Sequence, residues 1–138
     1  MSRIVLISCV STKLDHKAQA KDLYCSPLFT MNYAYAQSLH PAAIYILSAK
    51  YGLVHPNDMI EPYNETLNTM KSFEVKDWAL NVIDQIDGKI DFRNDEIMFL
   101  AGEEYRKLLL PLCAHAHVPL KGLGIGKQLQ WLKQHLHD

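Results

Sequence analysis

Arg3-Ile4-Val5-Leu6-Ile7-Ser8 decides the fold. Ile4 to Ile7 are apolar without alternation and rich in β-branched residues, as a parallel strand covered on both faces requires. The run ends abruptly in small, polar and ionisable residues: Ser8-Cys9-Val10-Ser11-Thr12-Lys13. Three further stretches repeat this design. Ile44-Tyr45-Ile46-Leu47 leads into Ser48-Ala49-Lys50-Tyr51-Gly52, and Ile97-Met98-Phe99-Leu100 leads into Ala101-Gly102-Glu103-Glu104-Tyr105. A weaker run ends in Gly122-Leu123-Gly124-Ile125-Gly126-Lys127. If the runs are parallel strands, their exits share one sheet edge, where open α/β folds hold ligands.

The pattern predicts strands at residues 3–8, 43–48, 96–101 and, weakly, 116–121. Ser26-Pro27 starts a helix, with serine as cap and proline at the first helical position; it ends near His40-Pro41. Val75, Trp78, Val82, Ile83 and Ile86 recur at helical spacing and predict a helix over 73–87. A further helix is expected over 102–112, and a last one carries Ile125, Leu129, Leu132 and Leu136 on one stripe. Residues 9–25 and 52–69 read as long loops, and loops of that length in a compact domain are usually functional. Alternating strands and helices imply a single α/β domain over 1–138. Its expected form is a Rossmann-like three-layer sandwich around a mostly parallel sheet of about four strands.

With 49% hydrophobic and 21% charged residues, the chain of 138 residues is expected to bury a real core rather than stay disordered. A net charge of −1 provides no global basic field, so nucleic-acid binding would need a local patch. No apolar run approaches a membrane span. Cys9, Cys25 and Cys113 are odd in number and lack paired metal spacing, so a reduced, cytoplasmic protein is expected. His115-x-His117 and His135-x-His137 read as surface residues. No metal site and no cofactor are expected.

Cys9 and Lys13 stand as C-x3-K directly after the first strand. A nearby cation favours a thiolate, so Cys9 reads as a nucleophile or as a small buried hydrophobe. Lys13 reads as a catalytic or ligand-binding amine, with Ser8, Ser11 and Thr12 adding donors, or as a solvated lysine. Ser48, Lys50 and Tyr51 form either a ligand-facing exit, with Lys50 catalytic or on phosphate, or an ordinary turn. Glu61 beside Tyr63 suits a base edge and its stacking, or a capped loop. Gly102, Glu103 and Tyr105 mark the third exit, where acids in a first helical turn are also favoured by the helix dipole. Gly124, Gly126 and Lys127 open a helix and suit a phosphate, or close packing. They do not form a Walker A loop.

Cys9-x3-Lys13, Asp22 to Phe29, Leu47 to Leu53 and Glu61 to Leu67 together resemble an uncharacterised family of small bacterial and phage domains. More distantly, Ser48 to Gly52 and Gly102 to Tyr105 resemble segments of the YaaA peroxide-stress proteins. Cys9-x3-Lys13 with Tyr24-x-Ser26 is similar to the lysine-transferring domain of archaeosine synthase, which modifies a deazaguanine base in tRNA. Here ten residues separate Lys13 from Tyr24, and Phe29 lies near the position of that domain's histidine. These resemblances imply a nucleotide- or nucleobase-binding enzyme, acting in nucleic-acid base modification, with Tyr24 and Ser26 in its site. The expected partner is a nucleotide-like small molecule or nucleic acid, not a membrane. The alternatives are a non-catalytic binding module for such ligands in stress response, and a regulatory protein acting through a partner.

Overall fold

The computed structural model describes residues 2–8 and 13–136. In chain order the elements are β1 (Arg3–Ser8), β2 (Ala18–Gln19), α1 (Ala20–Leu23), α2 (Pro27–Ser38), β3 (Ala43–Ser48), β4 (Gly52–Val54) and β5 (Met59–Ile60). A 3-10 turn at Leu67–Thr69 precedes α3 (Ser72–Ile86), β6 (Glu96–Leu100) and α4 (Glu103–Arg106). A second 3-10 turn at Leu110–Leu112, β7 (His115–His117) and α5 (Ile125–His135) complete the chain.

The main sheet has the order β4-β3-β1-β6-β7, with β3, β1, β6 and β7 parallel and β4 antiparallel at one edge. This is the expected mostly parallel α/β sheet with a fifth strand added. Val5, Leu6 and Ile7 are fully buried, so β1 is covered on both faces as its unbroken apolar run demands. The connection from β1 to β3 steps to one side, and the next crossover returns past β1 to β6 on the other. Right-handed crossovers in opposite directions put α2 and α3 on opposite faces of the sheet. The β1/β6 gap is therefore the topological switch point. α5 packs on α2, and α3 lies against β4.

Ser26 caps α2 as expected, its Oγ accepting from the Phe29 amide at 3.2 Å, with Pro27 at the first helical position. The stripe Val75, Trp78, Val82 and Ile86 of α3 is buried. Elsewhere the structure corrects the reading. The helix expected over 102–112 stops at Arg106, and residues 110–112 form only a 3-10 turn. Pro111 lacks the amide a continuing helix needs and its ring clashes with the preceding turn. Leu108 and Leu112, assigned to that helix's apolar side, are exposed as a result, whereas Tyr105 and Leu109 are buried. The strand expected over 116–121 occupies 115–117 instead, ending before Pro119, which has no amide to donate to the ladder.

The two long loops are not structureless. β2 pairs with β5, Lys13 bridges Tyr24, and β4 forms a hairpin with β3. The Ala20 amide donates to the Asp58 carbonyl at 2.8 Å and the Lys21 amide to the Pro56 carbonyl at 3.0 Å, which ties the two segments together. Strands of two or three residues carry no periodicity that a sequence can reveal.

Arg3 and Glu96 face each other across β1 and β6, with Nε donating to Oε1 at 2.6 Å. That hydrogen bond, then the guanidinium charge, hold the Glu96 carboxyl below its usual value. A carboxyl depressed in the folded state stabilises the fold above its unfolded pKa of about 4.5, and the contribution is lost as pH falls through the lower folded value. Glu96→Gln is therefore expected to flatten the acid limb of a urea-midpoint-against-pH profile. An unaltered acid limb would show that the pair contributes nothing.

Candidate functional site

Ser8 ends β1 at the switch point, and its Oγ accepts from the Gly102 amide at 3.0 Å, linking the exits of β1 and β6. Over this link lies a cleft of about 620 Å³, bounded by the N-terminal half of α2, the β6–α4 segment and the start of α5. Its size suits a small ligand, which usually needs about 300–1,000 Å³. The walls are mainly apolar and include Phe29, Phe99, Leu120 and Leu123. Ser26, Asn32, Glu103, Tyr105, Arg106 and Gln128 bring polar groups to it.

Most of these polar groups are held by the backbone. Arg106 Nη1 donates to the Ala101 carbonyl at 2.8 Å, and Gln128 Nε2 donates to the Leu123 carbonyl at 2.8 Å. Tyr105 is buried edge-on against Trp78, with ring centroids 5.7 Å apart, and its hydroxyl accepts from the Leu67 amide at 3.4 Å. Asn32 is different. It is 3% exposed, and its Oδ1 has no hydrogen-bond partner among the described residues.

Five of the residues expected at the site, Ser8, Ser26, Gly102, Glu103 and Tyr105, line this cleft. Gly124 is the N-cap of α5, and Gly126 and Lys127 lie in its first turn, adjoining the cleft-lining Leu123, Ile125 and Gln128. Cys9, Ser11 and Thr12 lie outside the described residues.

A second group gathers beyond the exit of β3. The Lys13 Nζ stands 4.6 Å from the Tyr63 ring centre and 5.8 Å from that of Tyr24, a cation–π arrangement. The Tyr24 and Tyr63 hydroxyls are 2.5 Å apart, and Tyr51 meets Tyr63 edge-on at 5.7 Å. Burial first, then the neighbouring Tyr24, push the Tyr63 phenol above its ordinary pKa. Ser48 is fully buried and turned onto its own loop, with Oγ accepting from the amides of Lys50 at 3.3 Å and Tyr51 at 3.0 Å. Its carbonyl accepts from Trp78 Nε1 at 2.8 Å. Lys50 is exposed, 5.4 Å from the Tyr51 ring centre, and Glu61 is exposed on the loop whose carbonyl accepts from the Tyr51 hydroxyl. Lys13, Tyr24, Ser48, Lys50, Tyr51, Glu61 and Tyr63 are thus assembled beside the cleft rather than along it.

Sequence reasoning missed Asn32, Arg106 and Gln128. For Asn32 a signal was present: Phe29, Asn32 and Ala36 share the buried stripe of α2, and asparagine is the polar member. Arg106 and Gln128 carried none, because a charged or amide residue on a helix is ordinarily solvated. Among the described residues no three His, Cys, Asp or Glu side chains gather closely enough to hold a metal ion. Among the described residues no helix is long and apolar enough to cross a membrane.

Residues 4–134 match a family of unknown function, DUF6884. A UPF0246 protein of Crocosphaera subtropica is 26% identical over 95 residues, which cover 64% of this chain and 36% of that protein. The chain thus matches little more than a third of that relative's length. The likeness agrees with the YaaA-type resemblance of the second and third strand exits.

Proposed function

As a member of DUF6884, a family without an assigned function, this chain is one for which we propose binding of a nucleotide or nucleobase at the C-terminal ends of its strands, in the service of nucleic-acid base modification. The observation that carries this reading is the switch-point cleft. It is large enough for a heterocycle and mainly apolar, with Phe29, Phe99 and Tyr105 at its walls and a buried amide oxygen, Asn32 Oδ1, without a partner among the described residues. A planar base with hydrogen-bonding edges fits that combination better than a sugar, which would need many more polar partners. Chemistry on the base would fall to Cys9, which follows Ser8 in the chain, with Lys13, four residues further along, as the cation of the C-x3-K pair. The archaeosine-synthase likeness of Cys9, Lys13, Tyr24 and Ser26 supports the same substrate class.

A second reading, a binding module without turnover, is favoured by one observation. Lys13 and Lys50 stand against tyrosine rings rather than along the cleft.

Thermal unfolding against nucleobases, nucleosides, nucleotides and deazaguanines tests the proposal. A ligand at 100 times its Kd stabilises the fold by about 2.7 kcal/mol, a shift of several degrees in Tm. Cys9→Ser is expected to keep that shift and to abolish product formation; retained turnover would leave Cys9 without a catalytic role. No shift with any member of the panel would overturn the binding reading.

A further inference from the structure

We infer that the cleft takes a nucleoside 5′-monophosphate rather than a free base, with the base on Asn32 and the phosphate at the N-terminus of α5. This rests on the nucleotide reading above and narrows it to one substrate class and one orientation.

Two independent observations meet in the same cavity. The first is Asn32. A buried amide oxygen without a partner is costly to keep, because its desolvation is not repaid by a hydrogen bond. Among the described residues it is the one buried side-chain oxygen or nitrogen in that condition. The serine hydroxyls of the cleft already accept hydrogen bonds, Ser8 from the Gly102 amide and Ser26 from the Phe29 amide. Asn32 Oδ1 therefore calls for an N–H donor brought by the ligand, and the imino or amino edge of a base provides one.

The second observation is the start of α5. This helix of 11 residues begins at Gly124 with no side-chain cap and no acidic residue in its first turn, which carries Lys127 instead. Ile125 and Gln128 of that turn line the cleft. A Cβ built at Gly124 or Gly126 would meet nothing within 4 Å, so no neighbouring side chain crowds this first turn. Uncapped amides and the helix dipole favour a phosphate there. Glu103 lines the cleft too, and its carboxylate would repel a phosphate. The phosphate consequently belongs toward α5, with Glu103 placed to accept from sugar hydroxyls. The 5′-monophosphate is the simplest ligand that has an N–H edge, hydroxyls and a dianion together.

Titration calorimetry of the full chain with each base, its nucleoside and its 5′-monophosphate tests this. The wild type is expected to bind one monophosphate at least about tenfold tighter than the matching nucleoside. Gly124→Asp supplies a carboxylate cap at a position whose φ of −70° any residue adopts. It is expected to erase the phosphate increment and to leave nucleoside affinity and folding intact. Asn32→Leu is expected to weaken nucleoside and monophosphate alike, by about tenfold to a hundredfold, without lowering Tm. Equal affinity for nucleoside and monophosphate, or an increment that survives Gly124→Asp, would overturn the phosphate placement while the base-binding reading stands. Undiminished affinity in Asn32→Leu would overturn the role of Asn32. Failure of every base, nucleoside and monophosphate to bind would remove both this inference and the reading beneath it.

Discussion

Trp78→Ala is expected to destabilise the protein by about 3–5 kcal/mol, the range for truncating a large buried aromatic. Three losses add there. The indole leaves a void between α3 and the sheet. The Ser48 carbonyl loses the 2.8 Å hydrogen bond from Nε1 and stays buried without it. Tyr105 loses the ring against which it stands edge-on. Since Tyr105 lines the cleft, ligand affinity should fall along with stability. Trp78→Phe separates the contributions, retaining most of the packing and losing the hydrogen bond. Its expected cost is about 1–3 kcal/mol. Urea unfolding at constant m-value measures both variants. A loss under about 1 kcal/mol for Trp78→Ala would show that the indole is not the link between α3 and β3.

Gly52→Val is expected to cost about 3 kcal/mol or more, from backbone strain together with a steric collision. Gly52 has φ +76°, a left-handed conformation that a β-branched residue strongly resists. A Cβ at this position would also run into the Gln85 amide. That amide clamps the hairpin: Oε1 accepts from the Leu53 amide at 2.8 Å, and Nε2 donates to the Tyr51 carbonyl at 3.0 Å. Displacing it would loosen the turn that orients Tyr51 and, through it, the ring group around Tyr63. Gly88 shares the positive φ, but nothing lies within 4 Å of its Cβ position. Gly88→Ala is therefore expected to cost only about 1 kcal/mol. Equal losses at the two positions would refute the Gln85 clamp.

What could be read from the chain follows the length of each pattern. β1, β3 and β6 were legible because each is an apolar run of five or six residues, largely buried on both faces in β1 and β6 and over its second half in β3. α2 and α3 were legible because caps and a 3.6-residue stripe act within one turn of the chain. The same local logic failed at residues 102–112, where leucine spacing suggested a continuous helix that Pro111 does not permit. It also failed at β2, β4 and β5, whose short pairings are stabilised by partners distant in sequence.

The candidate site divides in the same way. That chemistry collects at the strand exits follows from the sequence, since each apolar run must end where the chain leaves the sheet. Which exits form one cleft does not follow. Strand order puts β6 beside β1 and so brings Gly102, Glu103 and Tyr105 to Ser8, while the β3 exit closes on itself through Ser48 and its own turn. Asn32 shows the limit most clearly. The spacing to Phe29 and Ala36 puts an asparagine on the apolar stripe of a helix, but the missing partner of its oxygen arises from the packing of α2 against elements far along the chain. Hydrophobic periodicity is a local property that fixes elements one at a time. A cleft is a relation between elements, and only the tertiary structure decides it.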